Sequence, residues 1–204
     1  MSIQSAYTPL SESEIERFIS DVPGAETAEL LGSIPGRWGR MPRLSRLVLV
    51  ETGRILRCEK NGISGESERL CDAGKNVGLV GATRRGSLHT DLAFRQTMAS
   101  GPGLASPALF GYTLPNTPLA EAAVVFGLTG PVYALFDENG TLLNRAEKEA
   151  AALLEHMASL DFMLACAFDH YPEKNGREKI SVTLTVLNRD GDCNPCVPEM
   201  AENS

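Results

Sequence analysis

The sequence lacks a long apolar run, an excess of positive charge and a paired cysteine framework, and each absence removes a class of function. No stretch approaches the ~18 consecutive apolar residues of a bilayer-spanning helix, so no membrane span is expected. The net charge of −7 argues against a general nucleic-acid binder. Residues Met1 to Glu14 lack the basic segment and apolar core of a signal peptide. Five cysteines, an odd number, suit reduced thiols in the cytoplasm better than a disulfide scaffold. Internal repeats and low-complexity tracts are missing too. What is there, 204 residues at 43% apolar content, can bury a real core. A single αβα unit would use most of it.

The most informative stretch runs from Ser106 to Asp137, SPALFGYTLPNTPLAEAAVVFGLTGPVYALFD. Thr113, Pro115, Asn116 and Pro118 read as an ordered loop, because prolines so placed suit neither a helix interior nor a central strand. Leu119 to Phe126 has apolar residues at helical spacing, and Gly127 is expected to stop it. After Gly130 and Pro131, Val132 to Phe136 is an apolar run of strand length.

This stretch resembles the β-ketoacyl-[acyl-carrier-protein] synthase family of the thiolase superfamily. There a similar loop, a helix ending in a Gly-Pro turn and an apolar strand lead to the elbow that carries the nucleophilic cysteine. Gly78 to Leu88, GLVGATRRGSL, resembles the family's second strand and following turn. The likeness covers roughly Pro42 to Leu187. It implies an α/β fold: a three-layer αβα half of the thiolase type, with a four- or five-stranded mixed sheet and helices on both faces.

At the elbow the sequence departs from that family. The nucleophile's place falls near Asn139, within Asp137-Glu138-Asn139-Gly140-Thr141, and no cysteine lies between Cys71 and Cys166. Thioester chemistry needs a thiolate whose pKa is lowered by a helix N-terminus or a basic partner. An amide cannot supply one. The family's later half, with the histidines that assist condensation, is expected to be absent because the chain ends at Ser204.

Ser11 and Glu14 have capping-box spacing, and Ile15, Phe18 and Ile19 form one apolar stripe. Residues 1–41 are expected to be an extension that covers a sheet edge or face, residues 42–190 the ketosynthase-like domain, and residues 191–204 a tail. Pro42 to Cys58 reads as a long helix with Pro42 in its first turn. On it Arg43, Arg46, Arg54 and Arg57 fall within about a quarter turn, away from Leu44, Val48 and Ile55. The row reads either as a solvated face or as a docking surface for an acidic partner such as acyl carrier protein.

Residues 60–75 read as a surface loop, Val77 to Ala82 as a strand and His89 to Met98 as a helix. Arg84 and Arg85, beside the strand end, read either as a simply exposed pair or as a site for a phosphate of phosphopantetheine or a nucleotide. His89 has no partner evident in the sequence. Asn144 to Leu160 reads as an amphipathic helix, with Ala146, Ala150, Leu153, Met157 and Leu160 on one side and Lys148, Glu149, Glu155, His156 and Ser159 on the other. The family's matching helix is apolar nearly all round, so the polar face implies a chain adapted to exist without a second sheet. Asp161 to Asp169 and Lys179 to Leu187 read as strands. Cys166 reads as a core thiol, and neighbouring His170 is weak ground for a dyad. Cys193 and Cys196 have the spacing of a zinc or dithiol pair but no further ligands.

Three readings stay open. The first is a non-catalytic accessory protein of fatty-acid, polyene or polyketide biosynthesis, acting as chain-length factors do. It would bind a ketosynthase or acyl carrier protein, as homodimer or heterodimer, with no cofactor. The second is a small acyl-thioester enzyme using Cys166 or His89. The third is a dithiol or metal protein using Cys193 and Cys196.

Overall fold

The structure, a computed structural model, describes residues 9–57 and 74–189. Most of the expected loop at 60–75 and the tail with Cys193 and Cys196 lie outside them. Ser11 and Glu14 form the reciprocal capping box, which starts helix α1 (Glu12–Phe18). Helix α2 (Ala25–Leu31) and a 3-10 turn, Trp38–Arg40, follow. Helix α3 (Arg43–Leu56) begins after Pro42, whose missing N–H costs nothing at that position.

All of α3 except Arg43 and Arg54 is buried. A helix buried on every side needs cover on both, and the N-terminal segment supplies the outer cover. Phe18, Ile19, Leu31 and Trp38 join the same core as Leu47, Val48 and Leu49. The extension therefore packs on α3. Trp38 Nε1 donates to Ser20 O at 2.8 Å and holds that cover closed.

The sheet has the order β2-β1-β3-β4. Strands β1 (Val77–Thr83), β2 (Val132–Phe136) and β3 (Phe162–Pro172) are parallel, and β4 (Glu178–Asn188) pairs antiparallel with β3. Side chains alternate across it. Leu79, Leu164, Cys166, Phe168 and Leu184 face α3 and helix α6 (Thr117–Phe126). Val80, Ala82, Met163 and Ala165 face helix α7 (Leu142–His156). The result is a three-layer α/β fold with a four-stranded mixed sheet. At the centre of β1, an added Cβ on Gly81 would stand 2.5 Å from the Phe168 ring and 2.8 Å from Leu119, so only glycine lets α6 and β3 approach this closely.

Between β1 and α6 lie helices α4 (Leu88–Thr97) and α5 (Pro107–Gly111). Helix α6 begins two residues earlier than its spacing predicts, and Pro118 lies in its first turn, where a proline removes no intrahelical bond. Gly127 ends it in the left-handed conformation, φ 65°. The core side of α7 is Ala146, Glu147, Ala150 and Leu154. The predicted stripe is thus displaced: Leu153 is half-buried, and Met157 is exposed because the helix ends at His156 and Met157 is extended. Glu147 is tolerated there because the Thr185 hydroxyl donates to it at 3.1 Å. Lys148, Glu155, His156 and Ser159 face solvent, as their polarity predicts.

Candidate functional site

The C-terminal ends of the parallel strands, where open α/β sheets gather ligand sites, carry a polar cluster centred on Asp169. Asp169, near the end of β3, accepts through Oδ1 from the Thr83 hydroxyl at 2.6 Å and from the backbone N–H groups of Arg84, Arg85 and Gly86 at 3.0, 2.7 and 3.2 Å. This ring of amides is a ready anion nest, and the protein's own carboxylate fills it. A phosphate could use only the exposed guanidinium groups. Arg84 donates to Gly140 O at 3.0 Å, and Arg85 lies over the Tyr171 ring at 4.9 Å. Arg85, Tyr171, Pro172 and Lys174 border an open depression of about 460 Å³.

Beside that turn stands a second cluster. His170 continues the Leu164–Cys166–Phe168 face of β3 and is 1% exposed. In the hairpin register it pairs with Ile180, and Glu178, two residues along, is its diagonal neighbour. His170 Nε2 contacts Glu178 Oε1 directly. His89, in the first turn of α4, stacks on His170 with ring centroids 4.4 Å apart and 19° between planes, its Nε2 3.9 Å from the same oxygen. Arg43 Nε, at the start of α3, is 3.4 Å from it, and the Arg43 guanidinium also pairs with Glu16.

Burial lowers the His170 pKa, the Glu178 hydrogen bond opposes this, and His89 adds to the lowering. Burial pushes the Glu178 carboxyl up, but the His170 hydrogen bond with Arg43 and His89 outweighs it, and the group stays below the usual glutamate range. His170 Nδ1 is buried without a hydrogen-bond partner. Two imidazoles and a carboxylate so close together are a ligand set for a transition metal. His89 and His170, unconnected in the sequence reading, thus meet through Glu178, which that reading passed over.

The arginine row does not form one surface. Arg46 is buried, with Nε donating to Trp38 O at 3.0 Å and Nη1 to Ile19 O at 2.9 Å and Asp21 at 2.6 Å. Arg54 pairs with Glu51 at 2.6 Å, and Arg57 is exposed at the far end of α3, about 20 Å from Arg43. Arg43 alone reaches the histidine cluster. Pro115 and Asn116 are exposed. Their loop abuts the turn after β1: the Ser87 hydroxyl donates to Thr113 O at 3.2 Å, and a side chain on Gly86 would stand 3.5 Å from Pro115 Cβ.

At the strand–turn–helix elbow between β2 and α7, Asp137 Oδ1 accepts from Asn139 N at 3.0 Å and Gly140 N at 2.9 Å. Asn139 is exposed at the tip. Cys166 is fully buried, and desolvation pushes its thiol far above the ordinary range.

Among solved structures, the chain is similar to the ishigamide ketosynthase/chain length factor, with TM-score 0.58 and 19% identity over 91% of this chain. The chain has a ketosynthase-type, thiolase-like fold. The chain spans 55% of that chain's length. Similarity extends to a β-ketoacyl synthase from Burkholderia phymatum STM815, with TM-score 0.47 and 17% identity over 66% of this chain and 32% of that one. It extends also to a ketosynthase in complex with its chain length factor from Xenorhabdus doucetiae, with TM-score 0.41 and 14% identity over 73% of this chain and 62% of that one. No family model and no curated protein matches the sequence.

Proposed function

We propose that this chain is a non-catalytic, ketosynthase-like accessory subunit of fatty-acid, polyene or polyketide biosynthesis, which docks on a ketosynthase or acyl carrier protein as a chain-length factor does. The observation that carries this reading is the elbow. A ketosynthase fold uses the turn between β2 and α7 to present a thiolate, and here the turn is closed by Asp137 bonding to Asn139 and Gly140. A fold kept without its nucleophile suits binding work rather than acyl transfer.

Two surfaces support a protein partner. Strand β2 is a sheet edge with no outer strand among the described residues, and Phe136 at its end is 70% exposed. Pairing that edge, with a second copy or with a ketosynthase, would satisfy its free backbone groups. Met98, Leu104, Phe110 and Leu114 are exposed large apolar side chains on the segment that follows α4. Cys166 gives the acyl-thioester reading little support, since a sealed thiol offers no thiolate.

Co-expression with ketosynthases of the same organism, followed by intact-mass analysis with an acyl-thioester donor, tests this. The expected result is co-purification with one ketosynthase, with acyl mass added to that partner only. An acyl adduct on this chain by itself would overturn the non-catalytic reading.

A further inference from the structure

We propose that His89, His170 and Glu178 form a site for a divalent transition metal of the zinc type. One nitrogen of each imidazole and one carboxylate oxygen lie within 4.8 Å of one another. Tetrahedral zinc at about 2.0–2.2 Å from nitrogen and oxygen ligands needs them roughly 3.3 Å apart. Glu178 touches His170 Nε2 more closely than that and His89 Nε2 stands 3.9 Å from the same oxygen, so Glu178 must draw back and His89 move in. Their side chains are 32% and 43% exposed and have room to do so beside a fixed, buried His170.

The charge balance favours a cation. Arg43 beside Glu178 is itself matched by Glu16, so the two carboxylates outnumber the one guanidinium. An imidazole lone pair lies in the ring plane, so His89 must turn out of its near-parallel stack on His170 to share an ion with it. The Glu178 oxygen can take the His170 proton, but His89 then sits 3.9 Å away without a hydrogen bond to it. A metal accepts a lone pair from each ring and from the carboxylate at once. Two nitrogen donors and one oxygen donor select zinc-type ions over magnesium or calcium.

Three protein ligands leave a fourth position, and the exposure of His89 and Glu178 opens it to water. The ion would clip α4 to the β3–β4 hairpin, next to the turn held by Asp169. This assignment is independent of the accessory role. It also differs from the zinc reading of Cys193 and Cys196, because it uses no sulfur.

The full chain, freed of any histidine tag and treated with EDTA, is titrated with zinc sulfate by calorimetry, and its cobalt form is examined by absorption spectroscopy. The expected result is one equivalent bound, a raised melting temperature, and cobalt d–d bands without sulfur charge transfer. The His89→Ala and Glu178→Gln variants, altered at partly exposed positions, should each weaken binding about tenfold or more, as loss of a ligand or its support does. The Cys193→Ser/Cys196→Ser double variant should bind as the parent does. Absence of zinc binding by the parent, unchanged binding by both the His89 and Glu178 variants, or loss in the cysteine variant would each overturn the site.

Discussion

Arg46 shows how a single side chain can hold an extension to a domain. Its side chain is 5% exposed and donates to the backbone of Trp38 and Ile19 as well as to Asp21, which ties the N-terminal cover to α3. Arg46→Ala should cost about 2–4 kcal/mol in urea unfolding, because buried carbonyls lose their donors. Arg57→Ala, at an exposed position, should stay within about 0.5 kcal/mol. Equal small effects would mean that the cover is loosely attached. Tyr133 provides a pH test. Burial, and then its hydrogen bond to Glu149 at 2.7 Å, raises its pKa to about 12. The folded value lies above the ordinary tyrosine value of about 10, so its contribution to stability is complete below about pH 10 and is lost as pH rises towards 12. Burial and Glu121 raise Tyr112 as well, so an ultraviolet titration should show late phenolate ionisation from both, with the last step disappearing in Tyr133→Phe. A last step that survives the substitution would place the raised group elsewhere.

At the scale of elements, the central strand β1 is the most tightly constrained piece. Gly81→Ala should destabilise the fold by about 1–3 kcal/mol by forcing apart Phe168 and Leu119, read as a lower urea midpoint. A neutral result would mean that α6 is free to shift. The elements with several turns or clear alternation, α3, β1, α6 and β2, were legible in the sequence because apolar spacing and Gly127 mark them directly. Helices α2 and α5, of seven and five residues, hold too few turns to show a period. The core stripe of α7 was displaced by Glu147, whose burial depends on a hydroxyl from β4 that helical spacing does not reveal. Arg46 was misplaced for a similar reason. Its neighbours on α3 predicted an outer face, and the cover over that face comes from residues far upstream. The histidine cluster was half legible. His89 and His170 stood out by residue type, but Glu178 joins them only through the antiparallel register of the hairpin, which sequence spacing does not set.

For the whole molecule, the weight falls on what the sheet and helices leave uncovered. The outer side of α7 is polar and solvated, so that layer needs no second sheet to be stable in water. By contrast, β2 leaves a strand edge open, and the segment after α4 leaves apolar side chains exposed. Such surfaces commonly mark association. Phe136→Lys at the end of β2 should therefore weaken any complex formed through that edge while leaving the isolated chain's melting temperature nearly unchanged, since the side chain is 70% exposed. The most direct test of the accessory-subunit account is molar mass by light scattering, for the chain alone and mixed with ketosynthases and acyl carrier protein from the same organism. The account predicts a stable mixed complex of defined stoichiometry that Phe136→Lys weakens. A chain that keeps its own mass in the presence of every one of them would contradict it.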